Sequence, residues 1–212
     1  MVQRRLATVL ACDVVGYSRM MARDDEGTMS RFATHRTLPV TGVDRSVILD
    51  ELTAMASEED AKGERGLVSG SIYHGDHGQL FGAAGDSIYA EFISPVEAVR
   101  CAIDVQLALH DIESARAEGE RMRWRIGINL GDVMAEEGAV VGDGVNVAAR
   151  LEALARPGGV CLSAAVAEHV RDHVEVVFED LGRQRLKNIG RSIQVFRIPL
   201  PSDLDVPRPG AR

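Results

Sequence analysis

The order of elements in this chain predicts an α+β fold: a ferredoxin-like, antiparallel-rich sheet with helices packed on one side. Three observations carry that expectation. Residues 6–13 form an apolar run rich in Val, Leu and Ala, as suits a central strand covered on both faces. Residues 79–92 set strand-like runs on either side of Gly85-Asp86, the pattern of a hairpin. The later strands and helices alternate too irregularly for a doubly wound parallel sheet.

After the first strand comes a polar turn, GYSRMMARDDEG, and then a helix over residues 28–38 that Pro39 closes. Residues 40–70 have no evident place in a compact sheet. Within them Ile48, Leu52 and Met55 recur at helical spacing and predict a short amphipathic helix on an insertion. Beyond the hairpin, Ser94-Pro95 opens a helix with a cap residue followed by Pro in the first turn, and Val96, Val99, Ile103 and Leu107 mark its buried stripe. The run MRWRIGINLGDVMAE places Met122, Trp124, Ile126 and Ile128 on one side and Arg123, Arg125 and Gly127 on the other. It reads as a half-exposed strand turning at Gly131-Asp132. GDGVNVAARLEAL is a helix for which Asp143 is the expected cap. Pro157-Gly158-Gly159 breaks the chain, VCLSA gives a short strand, AAVAEHVRDH a short helix, and VEVVFEDLG and SIQVFRIP the last two strands. The expected organisation is one domain over residues 1–199 and a disordered tail or truncated linker over 200–212.

With 212 residues and 45% hydrophobic content, the chain can bury one substantial core. A formal net charge of −8 argues against a nucleic-acid or membrane-surface partner, which needs an extended basic patch. No stretch resembles a signal peptide or is long enough to span a bilayer, so the expected location is cytoplasmic. Cys12, Cys101 and Cys161 are odd in number and lie in apolar stretches, which favours buried reduced thiols over a disulfide or a zinc site. His74, Asp76 and His77 fit a polar turn better than a metal site, and His169 and His173 fit a helix surface. Trp124 is expected in the core.

Two aspartates in different strand contexts are the most telling residues. Asp13 ends the first apolar run, and Asp86 sits at the bend of the hairpin. A strand-terminal aspartate is commonly only a turn or cap residue. Two of them on neighbouring strands, however, can hold divalent cations against a phosphate chain. Asn146 and Arg150, four apart on the predicted helix, share one face and form an electrostatic clamp for developing phosphoryl charge.

Taken together, CDVVGYSRM, GDSIYAEF, RIGINLGDV, GDGVNVAARLEALARPGGV and EDLGRQRLKNIGRSIQVFRI closely resemble the class III adenylate/guanylate cyclase catalytic domain in its bacterial form, over residues 4–36 and 75–198. The resemblance implies the nucleotide cyclase fold and a homodimer with composite sites at its interface. Asp13 and Asp86 match the family's metal-binding aspartates, with the carbonyl of Val14 as a further ligand for two Mg²⁺ or Mn²⁺ ions per site. The segment from Val14 through Val15, Gly16, Tyr17 and Ser18 would wrap the phosphates with its N–H groups. Asn146 and Arg150 match the transition-state pair and Lys187 the lysine on the terminal phosphates. The implied reaction is conversion of ATP to 3′,5′-cyclic AMP and pyrophosphate in intracellular signalling.

The chain departs from the family pattern at two positions. Adenylate-specific members carry a lysine four residues before the second metal aspartate, where this chain has Gly82. They also carry an aspartate seven residues before the transition-state asparagine, where it has Ala139. The guanylate-type replacements are absent too. Weak or altered base selectivity is the expected consequence, with ATP the favoured substrate and GTP the alternative. A catalytically weak nucleotide-binding regulatory dimer and a purely structural dimerisation domain are the other readings, and a role for the 40–70 insertion stays open.

Overall fold

Strand β1 (Gln3–Val14) organises the sheet. Val9, Leu10 and Ala11 are buried in succession, so both faces of the strand are covered, as its unbroken apolar run requires. The computed structural model describes residues 3–36, 78–136 and 139–200. The helix expected within 40–70, Pro39, the His74–His77 cluster and the tail beyond residue 200 lie outside the described residues.

Around β1 the chain adds α1 (Tyr17–Arg23), α2 (Asp25–Arg36), β2 (Gly78–Ala84), β3 (Ser87–Phe92), α3 (Pro95–Ser114), β4 (Trp124–Glu136), β5 (Ala139–Val141), α4 (Asp143–Leu154), β6 (Val160–Ser163), α5 (Ala164–Val170), β7 (Glu179–Arg185) and β8 (Ser192–Ile198). The sheet runs in the order β2-β3-β1-β4-β6-β8-β7, with β5 paired to β4. All pairings are antiparallel except β4 with β6, which the α4 crossover joins in parallel. The α+β class and the largely antiparallel sheet are therefore as the sequence indicates.

On one face Leu10, Ile126, Ile128 and Leu162 meet Ala98, Val99 and Ala102 of α3 and Val166 and Val170 of α5, the helix-covered side that was expected. Helix α4 lies over the other face, where Ala148 joins Ala7, Val9 and Ala11, and Val147 and Leu151 join Cys161 and Val195. No helix among the described residues is long and apolar enough to cross a membrane.

Several local expectations are corrected. The polar turn after β1 is the short helix α1, entered through Gly16 at φ 72°. The buried stripe of α3 is rotated, so that Ala98, Val99, Ala102, Gln106 and Leu109 face inward while Leu107 is exposed. Strand β4 does not turn at Gly131-Asp132 but runs on to Glu136, held in register with β1 from Trp124 to Ala135. Gly131 serves contact rather than turning, because a Cβ there would lie 3.1 Å from the Gly144 Cα. Strand β7 begins at Glu179, and Val174, Val176 and Phe178 pack as coil against the core.

Trp124 is a core residue that docks α2. Its ring stacks on Phe32 at 5.4 Å, and its Nε1–H donates to His35 Nδ1 at 3.1 Å. An accepting Nδ1 leaves the ring proton on Nε2, which donates to Glu113 Oε1 at 3.0 Å, and Glu113 Oε2 accepts the Met122 amide at 2.8 Å. Burial pushes the Glu113 carboxyl up, but His35, the Met122 amide and Arg31 outweigh it and hold the group below its ordinary value. Cys12 is half-buried and Cys101 and Cys161 are buried, all as free thiols. Burial pushes the Cys101 thiol up to about 12.

Two outcomes test this packing. A Cβ on Gly127 would fall 2.1 Å from the Glu152 amide nitrogen and 2.2 Å from the Ala148 carbonyl. Gly127→Ala should therefore cost about 1–3 kcal/mol in urea unfolding, whereas Gly119→Ala, with open space around it, should stay within about 0.5 kcal/mol. Because the folded pKa of Glu113 is depressed, its stabilising contribution is complete above the unfolded value and lost as pH falls through the folded one. Glu113→Gln should accordingly flatten the acid limb of stability measured between neutral pH and pH 3.

Candidate functional site

The pleat of three strands brings the first set of polar residues together. Tyr89 and Gly127 flank Ala11 across β3, β1 and β4, and one pleat further along β1 Asp13 stands directly opposite Arg125. Arg125 binds Asp13 through two nitrogens, with Nη2 at 2.9 and 3.0 Å from the two carboxylate oxygens. Helix α4 closes the group from above. Gly127 lets the helix backbone settle onto β4, and Glu152 then places Oε1 3.0 Å from Arg125 Nε.

Asp86 reaches the same centre from the β2–β3 turn. Burial pushes its carboxyl up and the neighbouring Asp13 adds to this, while its own amide and the Val14 amide donate to it and oppose the shift. Burial and then Asp13 push Glu152 up to about 8, with Arg125 opposing. Asp13 and Glu152 thus share one guanidinium, with the Asp86 carboxyl in electrostatic reach of Asp13 and Arg125, the setting in which an added divalent cation is favoured. Among the described residues no set of three or more His, Cys, Asp or Glu side chains is grouped as metal ligands. Two aspartates and the Val14 carbonyl fit a hard ion that takes part of its shell from water and phosphate.

Asn146, Arg150 and Lys187 form a second set. Asn146 is exposed and Arg150 half-buried on α4, and Arg150 Nε donates to the Lys187 carbonyl at 3.2 Å. Lys187 occupies the β7–β8 turn, closed by the Ile189 amide on the Leu186 carbonyl at 3.1 Å. Arg150 and Glu152 are two residues apart, about 200° around the helix. Glu152 therefore turns in toward Asp13, whereas Arg150 turns out.

The other expected positions divide. Gly16 leads into α1, and its carbonyl accepts the Arg19 and Met20 amides. The Val15 amide donates to Arg123 O at 2.8 Å. The Tyr17 hydroxyl donates to Met29 Sδ, and Ser18 is exposed on α1. Gly82 is buried on β2 opposite Tyr89, and Ala139 begins β5. Asp143 is not the cap of α4. That position is Gly142 at φ 133°, and Asp143 pairs with Arg191 instead.

Arg125 and Glu152 were not singled out from the sequence. The signal for Glu152 was a charged residue among Val147, Ala148, Leu151 and Ala155 on the buried stripe of α4.

The model of the adenylate and guanylate cyclase catalytic domain matches residues 82–198. The chain belongs to that family. Asp13 precedes the matched span and is joined to it by the β1–β4 ladder. A solved structure from Silicibacter pomeroyi, described as an adenylate/guanylate cyclase/hydrolase, is 35% identical and covers 93% of this chain and 98% of its own, with a TM-score of 0.71. The putative adenylate cyclase 3 of Rhizobium meliloti is 36% identical over 92% of this chain. This chain spans only 28% of the length of that relative. The adenylyl cyclase CyaB of P. aeruginosa, at 16% identity and a TM-score of 0.63 over 94% of this chain and 96% of its own, shares the fold.

Removing the guanidinium leaves the Asp13 carboxylate without its counter-charge. Arg125→Ala should cost about 1.5–3 kcal/mol in urea unfolding without divalent cations, and less in an Asp13→Asn background, where that carboxylate is gone.

Proposed function

We propose that residues 1–199, including the 40–70 insertion, are the catalytic domain of a cyclase that converts ATP to 3′,5′-cyclic AMP and pyrophosphate, at sites shared by two copies of this chain. The observation that carries this reading is the opposed orientation of Glu152 and Arg150 on α4. One chain turns its acidic centre inward, under α4, and its Asn146, Arg150 and Lys187 outward. A two-fold pair would bring each outward set to the acidic centre of its partner, giving two equivalent sites.

In this reading the ribose 3′-oxygen loses its proton and attacks the α-phosphorus while the bond to the β-phosphate breaks. Asp13, Asp86 and the Val14 carbonyl would hold two divalent cations, Mg²⁺ or Mn²⁺, which lower the pKa of the attacking hydroxyl and offset charge on the leaving group. Arg125, beside Asp13, presents a fixed cation to the phosphate chain. Gly16 allows close approach of the segment that continues through Tyr17 and Ser18. Asn146 and Arg150 stabilise charge on the transferring phosphoryl group, and Lys187 binds the terminal phosphates. Gly82 and Ala139 offer no polar side chain to a base, so discrimination between ATP and GTP is weak.

The same two positions favour a second reading, a nucleotide-binding dimer with little turnover. Incubation with ATP or GTP and Mn²⁺, assaying both cyclic products, separates the two. Cyclic AMP is the expected main product, Asp13→Ala should abolish it, and Asn146→Ala or Arg150→Ala should each lower kcat by about 30- to 1000-fold. Mixing Asp13→Ala with Arg150→Ala protein should restore product, because mixed pairs contain one intact site. Two inactive variants that stay inactive when mixed under exchanging conditions would rule out the shared site.

A further inference from the structure

The β7–β8 turn is bound to α4 at more points than a surface hairpin needs. Leu186 is buried against Val147 and Leu151 of α4, with Ile189 packed beside it. Between them Lys187 and Asn188 project, and Asn188 is the one non-glycine residue with positive φ, 64°, among the described residues. Asparagine tolerates this left-handed conformation better than most residues. The Lys187 carbonyl accepts Arg150 Nε at 3.2 Å. At the far end of the turn Arg191 Nη2 donates to Asp143 Oδ2 at 2.8 Å.

Asp143, Asn146 and Arg150 share one face of α4 by their spacing of three and four. The turn therefore spans about 10 Å of helix, attached at Arg150 and at Asp143, with Asn146 between the two attachments. The Asp143–Arg191 pair is exposed on both sides and contributes little to global stability. Its position gives it another consequence, since it holds the backbone that carries Lys187 against the helix that carries Asn146 and Arg150.

We infer that Asp143 and Arg191 are positioning residues, a clamp that keeps Lys187, Arg150 and Asn146 as one preorganised unit. This rests on the cyclase reading of the same site. Residues so held act only through their alignment with the phosphate chain, and a displacement of about 1 Å is enough to cost on the order of a hundredfold in rate.

The test is a double-mutant cycle of Asp143→Asn and Arg191→Gln in the full chain, with kcat and KM for ATP and Mn²⁺, the melting temperature, and amide hydrogen exchange over residues 186–191. Each single variant should melt near the wild type, exchange faster at 187–191 and lose about tenfold or more in kcat. The double variant should be no worse than either single one, and Arg191→Lys should recover part of the loss. Unchanged exchange in Arg191→Gln overturns the clamp. Faster exchange with unchanged kcat overturns its role in the reaction, and multiplicative losses in the double variant show two independent roles instead. A wild type that makes no cyclic product from either nucleotide sinks the cyclase reading and the positioning role with it, while the exchange data still decide the clamp.

Discussion

The close seating of α4 on β4 is the contact on which the rest of this structure depends. It is possible because the strand and the helix present glycines to each other. At Gly127 the strand has no side chain where the Ala148 carbonyl and Glu152 backbone lie, and Gly131 faces Gly144 at the start of the helix. With the helix that low, Val147, Ala148 and Leu151 bury completely, and the apolar surface they remove from water offsets the cost of ordering the crossover. The same seating fixes the rotation of α4. Glu152 is carried down to Arg125 and Arg150 is carried away from it, so one helix serves two polar centres.

Those centres differ in how their charges are satisfied. At the end of β1 a single guanidinium is divided among acidic neighbours, and Asp86 and Glu152 are both displaced upward in pKa by burial and by Asp13. Such an arrangement is poor for stability and suited to an added positive charge. The His35–Glu113–Trp124 network under α2 is the opposite case. Each buried polar atom named there has a partner at 2.8–3.1 Å, and its work is to hold α2 against the strand that carries Arg125.

Much of the architecture was legible because it follows from local rules. The apolar run of β1, the hairpin at Gly85-Asp86, the helix opened by Ser94-Pro95 and the shared face of Asn146 and Arg150 need only periodicity and turn chemistry. The misreadings have a common origin. Gly131-Asp132 looks like a turn until another element is known to press on that glycine. Asp143 looks like a cap until Arg191, 48 residues later, is known to reach it. The α3 stripe was misplaced because Ala98, Cys101 and Ala102 pack the helix more tightly than larger residues allow, and these small residues weigh little in a hydrophobic pattern.

What the sequence determined by itself was the α+β class and the family, because backbone preference and residue chemistry are local properties. Only the tertiary structure decided that Arg125 belongs to Asp13, that Glu152 joins them, and that the Lys187 turn is stitched to α4 at both ends. Those relations depend on strand register and on the depth at which a helix settles, and both are set by contacts between residues far apart in the chain.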